Sequence, residues 1–289
     1  MDFLQPTTWT EALAAKAAYP DAMPIAGGTD VMVEINFDRH RPPAFLDLTR
    51  VSELTEWGSE GGMLRIGAGV TYARVIGELG DRIPGLAMAS RTVGSPQIRN
   101  RGTVGGNLGS ASPAGDAHPP LLASRAIVEL ASVGGTRRLP LHEFFVGPKR
   151  NAMRKDELIA AFLIEPAQGP QQFSKVGTRN AMVIAVCSFG LAIEPERRRV
   201  GTGIGSAAPT PVTAPEAEKF IQSVLDEHDL WRTRASVSEA ALARFGELVA
   251  ATARPIDDVR GTAAYRRHAL AVMARRTFTW AWNEYRGAA

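Results

Sequence analysis

Two glycine turns are the parts of this chain best suited to chemistry: Ala26-Gly27-Gly28-Thr29-Asp30 and, much later, Thr103-Val104-Gly105-Gly106-Asn107. Each puts two glycines and then a small polar residue after a plausible apolar segment. Glycine has no Cβ, so the backbone can take positive φ and a ligand can come close. Successive N–H groups in such a turn form a concavity that binds anions. One such turn is an ordinary tight turn. Two, on separate segments, could close on one pyrophosphate from both sides, and pyrophosphate is the middle of FAD.

The second turn sits inside a longer string from Ser95 to Asp116 that is rich in backbone-directing and polar residues. Thr103, Asn107 and Ser110 offer side-chain donors there. Asp116, acceptor-only when ionised, suits a hydroxyl or the N3–H of a flavin rather than a phosphate. Arg99 and Arg101 could neutralise phosphates, or equally face a partner protein. From the residues alone, three plainer readings stay open: a glycine-rich loop without a ligand, Asp116 as a turn cap, and Lys175 as a surface lysine on a strand.

Other chemistries lack their residues. Gly201, Gly203 and Gly205 give GxGxG, but Ser206 follows, so the dinucleotide fingerprint is absent. No glycine-rich loop ends in Gly-Lys-Ser/Thr, and there is no HExxH or GxSxG. The histidines (His40, His118, His142, His228, His268) are scattered, without metal spacing. The only cysteine, Cys187, excludes an internal disulfide and cannot build a four-thiolate iron–sulfur site within the chain. Lying in the apolar run Val183–Leu191, it reads as a packed core thiol. A net charge of +3, with short arginine clusters free of interleaved aromatics, speaks against nucleic-acid binding. No apolar run approaches a membrane span, and MDFLQPTTW does not read as a signal peptide, so a cytoplasmic protein is expected.

The elements that must position the turns come next. At 289 residues and 45% hydrophobic, the chain has room for two domains. Thr8-Trp9-Thr10-Glu11 predicts a capping box opening a helix over 11–19. A strand over 22–26 runs into the first turn, and Thr29 or Asp30 caps a helical segment through Phe37. A strand over 44–48 completes a small α/β unit. Gly58–Gly62 reads as a turn and a subdomain boundary. A strand over 64–69 follows, then Thr71 as the cap of a helix over 72–79, and a helix over 86–93. Residues 94–120 read as irregular, and 127–131 and 158–164 as strands. Beyond 168 the reading is an antiparallel sheet of strands over 172–176, 182–193 and 200–204. Helices over 214–225, 236–251 and 262–285 follow, with Leu270, Met273, Thr277 and Trp280 on the buried face of the last.

The strings AGGTD, SPQIRNRGTVGGNLGSASPAGD, DELI and FSKVGTRNA, in this order, resemble the FAD-binding medium subunit of the molybdenum hydroxylases, the xanthine dehydrogenase and carbon monoxide dehydrogenase group. The tail PIDDVRGTAAYRRHALAVMARR extends the resemblance to nearly the whole chain. It implies an α+β fold: a two-subdomain FAD-binding domain of the PCMH type (1–168, subdomains 1–57 and 58–168), then a C-terminal antiparallel sheet-plus-helices domain (169–289). It implies FAD as cofactor, with Ala26, Gly27, Gly28, Thr29, Asp30, Thr103, Val104, Gly105, Gly106 and Asn107 as the diphosphate loops. By position Ser110, Asp116 and Ile159 would contact the cofactor further along, and Lys175 would lie close to the flavin. Val93 falls where relatives place an aromatic against the ring. The implied partners are a large molybdenum-cofactor subunit and a small 2Fe–2S subunit, as a dimer of heterotrimers, with NAD or another acceptor taking the electrons. The rival expectations are a stand-alone flavoprotein oxidoreductase and a flavin-free scaffold.

Overall fold

The computed structural model describes residues 2–287. The chain opens with β1 (Asp2–Leu4), α1 (Trp9–Ala18), β2 (Met23–Ile25), α2 (Val31–Asn36) and β3 (Ala44–Asp47), the strands forming a parallel sheet in the order β1-β3-β2. Helix α1 starts where the capping box predicts: Thr8 Oγ1 accepts from the Glu11 N–H, and the Glu11 carboxylate accepts from the Thr8 N–H.

A second unit follows: β4 (Trp57–Glu60), β5 (Met63–Gly67), α3 (Tyr72–Glu78), α4 (Pro84–Thr92), α5 (Pro96–Arg101), α6 (Val104–Ser110), α7 (His118–Ala123), β6 (Ile127–Ser132), β7 (Gly135–Pro140), α8 (Leu141–Phe144), β8 (Phe145–Gly147), β9 (Arg150–Asn151) and β10 (Leu158–Ile164). Its main sheet is antiparallel, in the order β4-β5-β10-β6-β7. Gly58–Glu60, expected in a turn, is strand: the turn is confined to Gly61 and Gly62, both at positive φ, as a tight hairpin of this hand requires. The stretch 94–120, expected to be irregular, holds three short helices. Ser95 and Thr103 cap two of them, and Pro96 occupies the first turn of α5, where a missing N–H costs nothing.

The remainder is β11 (Gln171–Val176), β12 (Cys187–Glu194), β13 (Arg199–Gly205), α9 (Pro215–Glu227), α10 (Leu230–Thr233), α11 (Glu239–Thr252) and α12 (Ala263–Arg286). The strands form an antiparallel sheet, β11-β12-β13. Strand β12 begins at Cys187 rather than Met182, and Met182 and Ile184 are exposed ahead of it. On α12 the buried face carries Leu270, Met273 and Thr277 as expected, but Trp282 takes the place expected for Trp280, which is 50% exposed. Trp282 stacks on Phe278 and meets Trp231 edge-on. Two separate apolar cores result, one within residues 12–164 and one within 187–282.

The GxGxG of the sequence has a packing role. A Cβ on Gly201 would strike the Ala123 carbonyl, and one on Gly203 or Gly190 would strike the backbone of Pro119. Gly190 and Gly203 face each other across the β12–β13 ladder. This glycine stripe lets α7, which belongs to the N-terminal part, lie with its backbone directly on the C-terminal sheet.

Candidate functional site

The first turn links β2 to α2. In it, the backbone N–H groups of Gly27, Gly28, Thr29 and Asp30 meet no protein acceptor among the described residues. Gly28 sits at φ +73, which glycine adopts freely. Asp30 occupies the cap position of α2, but neither its carboxylate nor the Thr29 hydroxyl makes the expected cap hydrogen bond. Both side chains are therefore uncommitted.

The second turn is the start of α6. Thr103 Oγ1 accepts from the Gly106 N–H at 2.9 Å, and the Thr103 carbonyl accepts from the Asn107 N–H at 3.1 Å. The Val104 N–H reaches back to the Val70 carbonyl. The two turns touch: a Cβ on Gly27 would collide with the Arg101 carbonyl, and one on Gly102 would lie 3.3 Å from Thr29 Oγ1. The pairing that the sequence left as a possibility is thus a direct contact.

The glycines of the second turn divide by role. Gly105 is buried, and a Cβ there would overlap Ala68. Gly106 is exposed, and a Cβ there would meet only Thr103 Oγ1, at 3.0 Å. Gly109, one helical turn on, faces Ile159 Cδ1. Ile159 is 8% exposed on β10, beside α6. Val93 ends α4, half-buried against the N-terminal core, with its carbonyl accepting from Arg99.

The structure sharpens the reading of three polar side chains. Ser110 donates its hydroxyl to the Asn107 carbonyl within its own helix, so that proton is not free for a ligand. Arg99 donates from one guanidinium nitrogen to the carbonyls of Arg91, Val93 and Gly94, which holds it against the end of α4. Arg101 is exposed, with no hydrogen-bonding or ionic partner among the described residues. The core reading of Cys187 holds: the thiol is fully buried and burial pushes it up to about 12.

Asp116 and Lys175, 59 positions apart, form a buried ion pair. Lys175 Nζ lies 2.5 Å from Asp116 Oδ2, with both side chains 8% exposed. Thr92 completes the group, its hydroxyl 3.1 Å from the same carboxylate oxygen and its carbonyl accepting from Lys175. Burial pushes the Asp116 carboxyl up against the pull of the Lys175 ammonium. The pair ties β11 to the end of α4 and to the loop before α7. No motif marked Thr92. Arg266 was also missed: it is buried on α12 and gathers the carbonyls of Val186 and Ser206, next to the strand ends opposite Lys175.

His118 lies wholly buried at the start of α7. Its Nε2 is 3.1 Å from the Asn107 carbonyl, so Nε2 carries the proton and donates. Burial pushes the imidazole from its usual 6.5 down to about 4. A neutral histidine in the fold that charges when unfolded gives stability that is complete above its unfolded value and is lost as pH falls. Stability is therefore expected to drop between pH 6.5 and 4, by up to about 3 kcal/mol, and His118→Phe is expected to flatten that slope in urea titrations.

Asn107 Oδ1, Asp116 Oδ1 and His118 Nδ1 are buried atoms with no partner. Gly115 brings two of these residues together: a Cβ there would press on the His118 ring and on Asn107 Nδ2. Unpaired N–H groups in the first turn, an open backbone at Gly106 and buried acceptors without donors suit a long ligand with an anionic middle and polar ends. FAD has that chemistry, and the residues present fit it. Among the described residues there is no cluster of metal-ligating side chains and no helix long and apolar enough to cross a membrane.

An α+β frame with two abutting glycine turns, the first with four unpaired N–H groups, fits a flavoprotein. Residues 1–166 match the family described as the FAD binding domain in molybdopterin dehydrogenase, and residues 172–281 match the CO dehydrogenase flavoprotein C-terminal domain. The chain belongs to this family of FAD-binding molybdenum hydroxylase subunits. It is 35% identical over 210 residues to the nicotinate dehydrogenase FAD-subunit of Eubacterium barkeri, covering 70% of this chain and 71% of that one. It is 28% identical to the putative xanthine dehydrogenase FAD-binding subunit of Escherichia coli, over 94% of this chain and 92% of that one. Its fold matches a chain of the carbon monoxide dehydrogenase from Hydrogenophaga pseudoflava with a TM-score of 0.87, at 23% identity, covering 99% of this chain and 98% of that one.

Proposed function

We propose that this chain carries FAD as the electron-transfer subunit of a molybdenum hydroxylase, receiving electrons from iron–sulfur clusters on a partner and passing them to NAD or another acceptor. The observation that best supports the reading is the row of unpaired N–H groups from Gly27 to Asp30, abutting the second turn at Arg101 and Gly102. Bound FAD supplies one- and two-electron chemistry, and the chain supplies binding, orientation and electrostatics. Ala26 to Asp30 and Thr103 to Asn107 hold the diphosphate. Asp116, Ile159 and Val93 line the site further along, with Ser110 offering its oxygen. Lys175 brings positive charge beside the ring, fixed there by Asp116 and Thr92.

The single cysteine supports placing the clusters on another chain and the protein in the cytoplasm. A large molybdenum subunit and a small 2Fe–2S subunit, arranged as a dimer of heterotrimers, complete the proposed assembly. Relatives named as medium subunits or chains support this, among them that of nicotine 6-hydroxylase from Paenarthrobacter nicotinovorans. We divide the chain at 168, between the two family matches, and the FAD-binding part again at 57, where β4 begins. The purified chain is expected to take up FAD and to show flavin absorbance that dithionite bleaches. A chain that neither retains nor takes up FAD on titration refutes the reading and leaves the flavin-free scaffold. Turnover of an organic substrate by the isolated chain would favour the stand-alone flavoprotein.

A further inference from the structure

The two turns meet beside a side chain that no motif singles out. Tyr72, the first residue of α3, is only 4% exposed. Its N–H donates to the Gly102 carbonyl at 3.0 Å, and its neighbour Thr71 pairs with Thr103. The ring passes Gly102 so closely that a Cβ there would lie 3.4 Å from Tyr72 Cδ2, with Thr29 Oγ1 of the first turn 3.3 Å away from the same point. The edge of the ring therefore packs against the place where the turns meet.

The hydroxyl is the unexplained part. Burial holds it protonated, and the charges of Asp116 and Asp30 act in the same direction, one from beyond each turn. The Tyr72 hydroxyl has no hydrogen-bond partner among the described residues and is not among the side-chain atoms sealed from solvent, so its oxygen keeps an open side, whereas the Tyr285 hydroxyl donates to the Trp231 carbonyl at 2.8 Å. A tyrosine whose ring is packed and whose hydroxyl still opens outward offers a donor that a ligand can take up.

We propose that the Tyr72 hydroxyl donates a hydrogen bond to a phosphate oxygen of bound FAD, at the seam where the two glycine turns meet. A neutral phenol is a donor that costs nothing to neutralise, and an anionic oxygen is the acceptor that gains most from it. The position beside Gly102 and Thr29 puts it at the diphosphate rather than at either end of the cofactor. The proposal rests on the FAD reading above, and the test separates the two.

The full chain, stripped of flavin, is titrated with FAD, ADP and riboflavin as wild type and as Tyr72→Phe, with the melting temperature of each apo-protein as control. Tyr72→Phe is expected to weaken FAD and ADP by about tenfold or more, the worth of a hydrogen bond to a charged group. Riboflavin, which lacks the diphosphate, is expected to bind both proteins alike, and the apo-proteins to melt together. Equal FAD affinity in the two proteins overturns the proposal and leaves the FAD reading standing. An equal loss for riboflavin overturns it too, because the contact would then lie on the flavin. Failure of the wild type to bind FAD overturns both.

Discussion

Lys175→Met is expected to lower the stability of the apo-chain by about 3–5 kcal/mol, the usual consequence of removing one partner from a buried ion pair. Lys175 and Asp116 are both 8% exposed, and the methionine leaves the carboxyl in the same dry surroundings without its ammonium. Burial already pushes that carboxyl up, and without the Lys175 ammonium it rises further. Adding Asp116→Asn removes the charge and keeps a group that can accept from Thr92. The double variant is expected to recover most of the loss in urea unfolding at neutral pH. A single variant as stable as wild type would show that the pair contributes little, and that Lys175 is held by its place opposite Ser188 on β12 alone.

The second large effect separates two adjacent glycines. Gly105→Val forces a branched side chain into Ala68, where a Cβ alone already overlaps, and is expected to lose at least about 3 kcal/mol or to prevent folding. Gly106→Val meets only the Thr103 hydroxyl, on the exposed face of a helix that valine tolerates better than glycine does. It is expected to fold with an apo melting temperature near wild type and to bind FAD about ten- to a hundredfold more weakly, because a branched side chain then covers the exposed start of α6 next to the unpaired Gly105 N–H. Flavin titration and thermal melts on both variants check this. Full flavin occupancy in Gly106→Val would remove the second turn from the site.

Local signals in the sequence were read correctly where one short segment carried the whole cause. Thr8 with Glu11, and Thr71 ahead of Tyr72, are complete statements of a helix start, and both caps are made. The glycine turns were legible for the same reason. Where glycine and proline density hid regular structure, reading failed. Residues 94–120 looked irregular because Pro96 sits where a helix accepts proline, and because Gly105 and Gly106 lie within the first turn of α6. Gly58 looked like a turn because an exposed edge strand need not alternate apolar and polar residues.

Within the site, type was legible and partnership was not. Asp116 stood out by its acceptor chemistry and Lys175 by resemblance, and nothing local says that they pair with each other, since the fold alone closes the distance. Thr92, Arg266 and Tyr72 carry no motif. Their roles come from long-range contacts: a carbonyl, two strand ends and a seam between turns. Ser110 was misjudged as a free donor because a serine late in a helix can bond back to its own backbone, as it does here.

The glycine stripe under α7 has a mechanical consequence. Interfaces made of side chains can open and close by exchanging rotamers, which gives a joint its play. Where Gly190, Gly201 and Gly203 receive the backbone of Pro119 and Ala123, there is no rotamer to exchange. The two halves of the chain are welded at this line rather than hinged. Backbone contact then sets the angle between the second glycine turn's side of the chain and the strand that carries Lys175. On the proposed function, electron donors and acceptors would meet an edge set by this rigid joint rather than by a jaw that closes on them.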